Sequence, residues 1–268
     1  MMENKKNRTS MKILCSSTFL IMIGVNMLAN TLPINGKMTG DVTANAQNLF
    51  TPAAWIFSIW GLIYFLVACF TLYYIGFFRK GKRYNSSNAF LQIGLLFSIS
   101  SLGNAIWIFC WHYQKFGFSL VFMLIILASL ILINQVTHQM HLENREKFFL
   151  QLPFSVYFGW ISVATIANVT TLLVSMGFRG GGISESIWTM VVIVVGMVIG
   201  VMTLLKNKDL AYILVFIWAY TGILVKHLSS EGFYGQYIGV IATVIVCIAI
   251  FMLSGIHILL KRNGGTEK

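Results

Sequence analysis

The sequence predicts an all-α, polytopic membrane helix bundle, and three observations carry that prediction. First, 57% of its 268 residues are hydrophobic and only 10% are charged, with a mean hydropathy of +0.78, whereas a soluble chain carries about 25% charged residues. Second, eight apolar stretches meet or approach the roughly 20 residues that a bilayer core demands of a helix. Third, the basic residues crowd into alternate connections, as the positive-inside rule requires. The stretches are rich in Leu, Ile, Val and Phe and lack the alternation of an outer-membrane strand.

In chain order, span one covers about residues 13–30. A basic start before an apolar core also describes a secretory leader. The apolar run continues to Ala29, however, and Met27 spoils a small-x-small cleavage site, so the segment is expected to remain as a span. Cys15 stands at the beginning of the run, where a lipoprotein cysteine would not be. Span two, about 53–76, contains the uncharged stretch TPAAWIFSIWGLIYFLVACFTLYY. Spans three to five follow at about 90–111, 117–137 and 153–175. The glycine-rich segment SMGFRGGGISES then separates them from spans six to eight, at about 187–205, 210–228 and 237–260. Gly180 to Gly182 are its expected hinge.

Orientation follows from the basic residues. Lys5, Lys6, Arg8 and Lys12 precede span one, and Arg79, Lys80, Lys82 and Arg83 lie between spans two and three. Arg145, Lys147, Lys206 and Lys208 fall in the fourth and sixth connections, and Lys261, Arg262 and Lys268 follow span eight. Fifteen of nineteen Lys and Arg thus sit on one side; Lys37, Lys115, Arg179 and Lys226 are the rest. Both termini are expected on the cytoplasmic side, of a bacterial cytoplasmic membrane. The net charge of +11 is thereby a topology signal, and no nucleic-acid partner is implied.

Polar and aromatic groups inside the spans are the candidate functional residues. Phe57, Trp60, Gly61, Tyr64 and Ala68 recur at helical spacing on span two, alternating rings with small residues. Span three repeats the theme with Ser100, Asn104, Trp107 and Trp111, and span five with Tyr157, Trp160, Ala164 and Asn168. Span one adds Asn26 and Asn30; Asn134 stands four before His138 in span four. For any one residue ordinary packing explains the pattern, since Trp and Tyr belong at membrane interfaces and Asn joins helices. Trp55 and Trp111 in particular lie near span ends. Convergence of three such faces favours an aromatic cavity with a few amides, suited to a large planar or sterol-like molecule.

Other chemistries find little support. Cys15, Cys69, Cys110 and Cys247 all lie in or beside apolar segments, and no CxxC or HExxH occurs. His138 and His141, followed by Glu143, have no third ligand at a clear spacing and read as a basic helix end. Lys226 sits where a retinal-binding lysine would, but no intramembrane acid offers a counter-ion, so it is expected to snorkel to the outer surface. Gly196-xxx-Gly200 and Gly235-xxx-Gly239 allow close helix packing. No enzymatic activity and no metal site are expected.

TPAAWIFSIWGLIYFLVA resembles the second-helix motif of the TspO/MBR family, the tryptophan-rich sensory proteins related to the mitochondrial translocator protein. Pro52, Trp55, Phe57, Trp60 and Tyr64 match it in order and spacing. Asn104 and Trp107 fall in the third-helix positions, and Pro153, Tyr157, Trp160, Ala164 and Asn168 in the fifth-helix ones. A single Pro52 replaces the family's double proline, and the connection 31–50 lacks the family's tryptophan. The resemblance spans roughly 12–175, so it implies a five-helix core over 1–175, a linker over 176–186, a three-helix extension over 187–260 and a tail over 261–268. It implies a pocket of Trp55, Phe57, Trp60, Tyr64, Trp107 and Trp160, lined by Asn104, Tyr157 and Asn168. It implies haem, protoporphyrin or a sterol-like lipid as ligand, with no certain cofactor. Membrane lipids and a homodimer partner follow too, unless the extension covers the dimer surface. The leading function is a receptor or carrier of such a ligand. The alternatives are a secondary transporter of a small metabolite, which lacks an embedded acid for ion coupling, and a structural or assembly protein.

Overall fold

Backbone groups in hydrocarbon must find partners within the protein, and the helix satisfies them within one segment. The computed structural model describes residues 2–37, 39, 42, 48–78, 88–178 and 180–263. Among the described residues eight helical spans are long and apolar enough to cross a membrane, so the protein is an all-α integral membrane protein. Their α-helices are α1 (Met2–Thr31), α2 (Ile59–Ile75), whose span begins at Ala54, α3 (Asn88–His112), α4 (Phe116–Gln139), α5 (Leu152–Ser175), whose span begins at Asn144, α6 (Glu185–Asn207), α7 (Leu210–Leu228) and α8 (Ile238–Asn263). Among the described residues the only β pairing is an isolated bridge between Ile34 and Lys37. Arg79, Lys80, Lys82, Arg83, Arg179 and Lys268 lie outside the described residues.

Several hydroxyls in the spans bond back to the preceding turn, which hides them from lipid. Thr18 Oγ1 donates to the Leu14 carbonyl, Thr71 Oγ1 to Val67, Ser98 Oγ to Gly94 and Ser129 Oγ to Ile125. Local chemistry also sets several helix ends. Pro52 is followed by a 3-10 helix, Ala54–Ser58, before α2 begins. Phe57 therefore stands on a tighter turn, and the regular α spacing starts with Trp60. Before α5, a capping box pairs Glu143 with Glu146, and Lys147–Gln151 widens into a π turn. Pro153 lacks the N–H that would close an ordinary turn there. Gly180, Gly181 and Gly182 all take positive φ, a run that side chains would strain.

The chain divides into two compact units, Met1–Asn45 with Ile59–Ile161 and Ala46–Ser58 with Ser162–Lys268. In the first, α3 packs most extensively on α4 and α1. Phe70, Phe97 and Phe154 meet edge to face there, with centroids 5.0, 4.7 and 5.8 Å apart. In the second, α8 packs on both α6 and α7. Phe251 meets Phe216 at 5.6 Å and Tyr220 at 5.0 Å. A Cβ on Gly200 would stand 3.0 Å from both Phe216 and Phe251, so this glycine admits rings from two helices.

Candidate functional site

An amide in hydrocarbon needs partners, and Asn104, fully buried on α3, has them on two sides. Asn26 on α1 donates from Nδ2 to Asn104 Oδ1 at 2.7 Å. The same nitrogen donates to its own helix at the Met22 carbonyl, 2.9 Å away. Asn104 Nδ2 in turn donates to Tyr157 Oη on α5 at 3.1 Å. The bonds run in one direction, from α1 through α3 to α5. Tyr157 accepts at its end, which leaves its own O–H as a donor.

Aromatic rings continue this polar chain. Trp60, half-buried on α2, stands edge-on to Tyr157 at 6.0 Å and to Trp160 at 6.2 Å. It stacks on Tyr64 at 5.4 Å with an interplanar angle of 23°. Edge-to-face and offset stacks of this kind are the favoured ring geometries. Tyr157 and Trp160 are buried, whereas Tyr64 is half-buried. Four spans thus converge on one patch of rings, two amides and two phenol hydroxyls.

Of the nine expected lining residues, the structure brings together Trp60, Tyr64, Asn104, Tyr157 and Trp160. Trp107 lies one turn along α3 from Asn104 and stacks on Trp111 at 5.7 Å. Its indole Nε1 is buried with no hydrogen-bond partner among the described residues. Trp55, Phe57 and Asn168 belong to the second unit. Trp55 is 44% exposed and meets Trp218 edge-on at 4.8 Å, while Phe57 is half-buried and Asn168 buried. Asn26 is the member that the expected lining lacked. Its signal in the sequence was an amide within span one, four residues before Asn30.

Lys226 Nζ lies 3.5 Å from the Glu231 carbonyl, just past the end of α7. Among the described residues no group of three or more His, Cys, Asp or Glu is placed to hold a metal.

The family model described as TSPO-like protein matches residues 12–256, from α1 into α8. No curated protein and no solved structure matches the chain.

Proposed function

This chain belongs to the TSPO-like protein family, and from that premise we propose that it is a membrane receptor or carrier for a planar hydrophobic ligand such as haem, protoporphyrin or a sterol-like lipid. Family and buried aromatic clusters together make it a hydrophobic-ligand-binding membrane protein, one that belongs with non-catalytic relatives. The observation that supports the finer reading is the juxtaposition of Trp60, Tyr64, Tyr157 and Trp160 with the Asn26–Asn104–Tyr157 chain. Rings offer flat apolar area, and the hydroxyl that ends the chain offers an oriented donor. Trp107 completes the proposed lining within the first unit, while Trp55, Phe57 and Asn168, which belong to the second unit, stand in the proposal on the family motif alone.

Orientation is proposed from the basic residues, with both termini on the cytoplasmic side of a bacterial membrane. A helix-mediated homodimer is proposed separately, from the family resemblance. The five-helix core, linker and three-helix extension remain the proposed domain plan. Lipids are the expected surroundings of the exposed apolar faces.

Titration with haem, protoporphyrin and a sterol tests the ligand reading in the intact protein, in Trp60→Ala and in Trp188→Ala. Trp188 packs on Phe178 at 5.1 Å in the second unit and serves as the control. Loss of a central aromatic costs at least about 2 kcal/mol, roughly thirty-fold in affinity. That loss is expected in Trp60→Ala alone, with thermal stability retained. Equal affinity in all three proteins would end the reading.

A further inference from the structure

The segment before α2 is fastened along α7 more firmly than a connection between two spans requires. Loops usually give their backbone groups to water. Here the segment first folds on itself: Thr51 N–H donates to the Asn48 carbonyl at 2.9 Å, and Phe50 N–H to Asn48 Oδ1 at 3.0 Å. Three further hydrogen bonds then reach α7. His227 Nε2 donates to the Leu49 carbonyl at 2.8 Å, Ala53 N–H to the Gly222 carbonyl at 3.0 Å, and Trp218 Nε1 to the Ile56 carbonyl at 3.0 Å. A carbonyl only accepts, so the His227 proton on this bond resides on Nε2.

Shape agrees with the bonds. Leu49, Phe50 and Ile56 are at most 3% exposed. Trp55 closes edge-on against Trp218 at 4.8 Å and 85°. Gly222 leaves a notch that Ile56 fills, and a Cβ on Gly222 would collide with the Ile56 side chain. His227 is itself held from behind by Phe233 at 4.7 Å and Tyr237 at 5.8 Å. Trp218 and Gly222 are four apart, on one face of α7. Every one of these contacts lies within the second unit.

We propose that α7 is a docking groove for residues 49–56, with Trp218, Gly222 and His227 as positioning residues that hold this strap and thereby fix the start of α2. The strap runs without a break through Ser58 into Ile59, and Trp60 follows in the first turn of that helix. The partner of the groove is thus a segment of the same chain, the one that leads into the proposed ligand-binding helix. The C-terminal helices have a defined task on this reading: they anchor the aromatic motif that begins at Pro52.

Thiol labelling of the full-length protein tests the docking without any ligand. Cys15, Cys69, Cys110 and Cys247 are replaced by Ala, and Leu49→Cys places the probe, since the Leu49 carbonyl that bonds His227 is unaffected. Labelling follows the population of the opened segment, so Gly222→Val is expected to accelerate it about tenfold or more. Adding Ile56→Ala to Gly222→Val returns the space and restores slow labelling. His227→Ala accelerates labelling as well, whereas His227→Gln, which keeps a donor, accelerates it less; this pair decides the matter if Gly222→Val fails to fold. Unchanged labelling in Gly222→Val and His227→Ala overturns the docking. Protoporphyrin titration of the same proteins tests the effect on α2, an arm that rests on the ligand reading above. Weaker binding by Gly222→Val, recovered with Ile56→Ala, supports it. Accelerated labelling with unchanged affinity overturns the positioning of α2. Should the parent bind no tetrapyrrole, the ligand reading fails while labelling still decides the docking.

Discussion

Asn104 commits the two ends of its amide to different helices, accepting from Asn26 and donating to Tyr157. Interhelical hydrogen bonds in membrane proteins contribute about 0.6–2 kcal/mol each, and a buried polar group stripped of its partner costs about 1–3 kcal/mol. Asn104→Leu removes both bonds and leaves Asn26 and Tyr157 facing an alkyl group. A clear fall in thermal stability in detergent is expected. Adding Asn26→Leu should then cost less than it does alone, because the bond it removes is already gone. Strictly additive losses would show that the amides act independently. A second expectation concerns the ligand. Among Trp60, Tyr64, Asn104, Tyr157 and Trp160 there is no imidazole or thiol, and a phenol is the one kind of iron ligand present. The Tyr157 oxygen already accepts from Asn104, so binding is expected to rest on ring contact and hydrogen bonding. Haem and metal-free protoporphyrin should accordingly bind with affinities within about tenfold of each other, a gap under about 1.4 kcal/mol. Strong preference for the iron form in parallel titrations would contradict this.

At the scale of the element, the sequence shows which residues punctuate the chain. Between α6 and α7 only two residues intervene. Lys208 takes a left-handed conformation, φ 51°, and its N–H donates to the Leu204 carbonyl at 2.7 Å, closing α6. Asp209 opens α7 by accepting from the N–H groups of Ala211 and Tyr212 at 3.1 and 3.3 Å. Asp209→Ala should destabilise the protein by about 1 kcal/mol, while Asp209→Asn, which also caps, should cost less; thermal unfolding of both variants is the measurement. Spacing alone misjudged one pair. Gly196 and Gly200 do mark a close approach, but they receive Tyr220, Phe216 and Phe251 side chains. Gly235 does not join Gly239 on α8: it has φ 73° in the preceding turn, and a Cβ there would meet nothing within 4 Å. A Gly-xxx-Gly spacing is informative only where both residues share a helix.

For the molecule as a whole, the eight spans and the distribution of fifteen basic residues lead to a direct test of orientation. With both ends cytoplasmic, thiols introduced singly at Ser86, Ser184 and Ser229 should report from opposite sides. Ser86 labels only once the inside is exposed, and the other two label from outside. Labelling of all three from one side would overturn that orientation. Molecular mass in detergent tests the assembly: twice 30.1 kDa of protein fits the proposed homodimer, and a single copy means that no dimer forms there. The family match bears on the same scale. It continues past the linker to residue 256, so the last three spans share the family's pattern as well.

What the sequence determined by itself was what short-range chemistry controls. A run of about 20 apolar residues has few alternatives to a helix in lipid, so the number and order of the spans were legible, as was the motif from Pro52 to Tyr64. Asn104, Tyr157, Trp60 and Trp160 could be named as candidates because polar and aromatic residues stand out in such runs. Which of them meet was decided only in the tertiary structure. Trp60, Tyr157 and Trp160 came together, Trp107 paired with Trp111, and Trp55 met Trp218 more than 160 residues away in the chain. Apolar faces in a lipid-soluble protein are nearly uniform, so periodicity gives little information about which helix lies against which. The partners of Asn26, Gly222 and His227 depend on helix rotation and close packing across distant segments, and no local pattern encodes them.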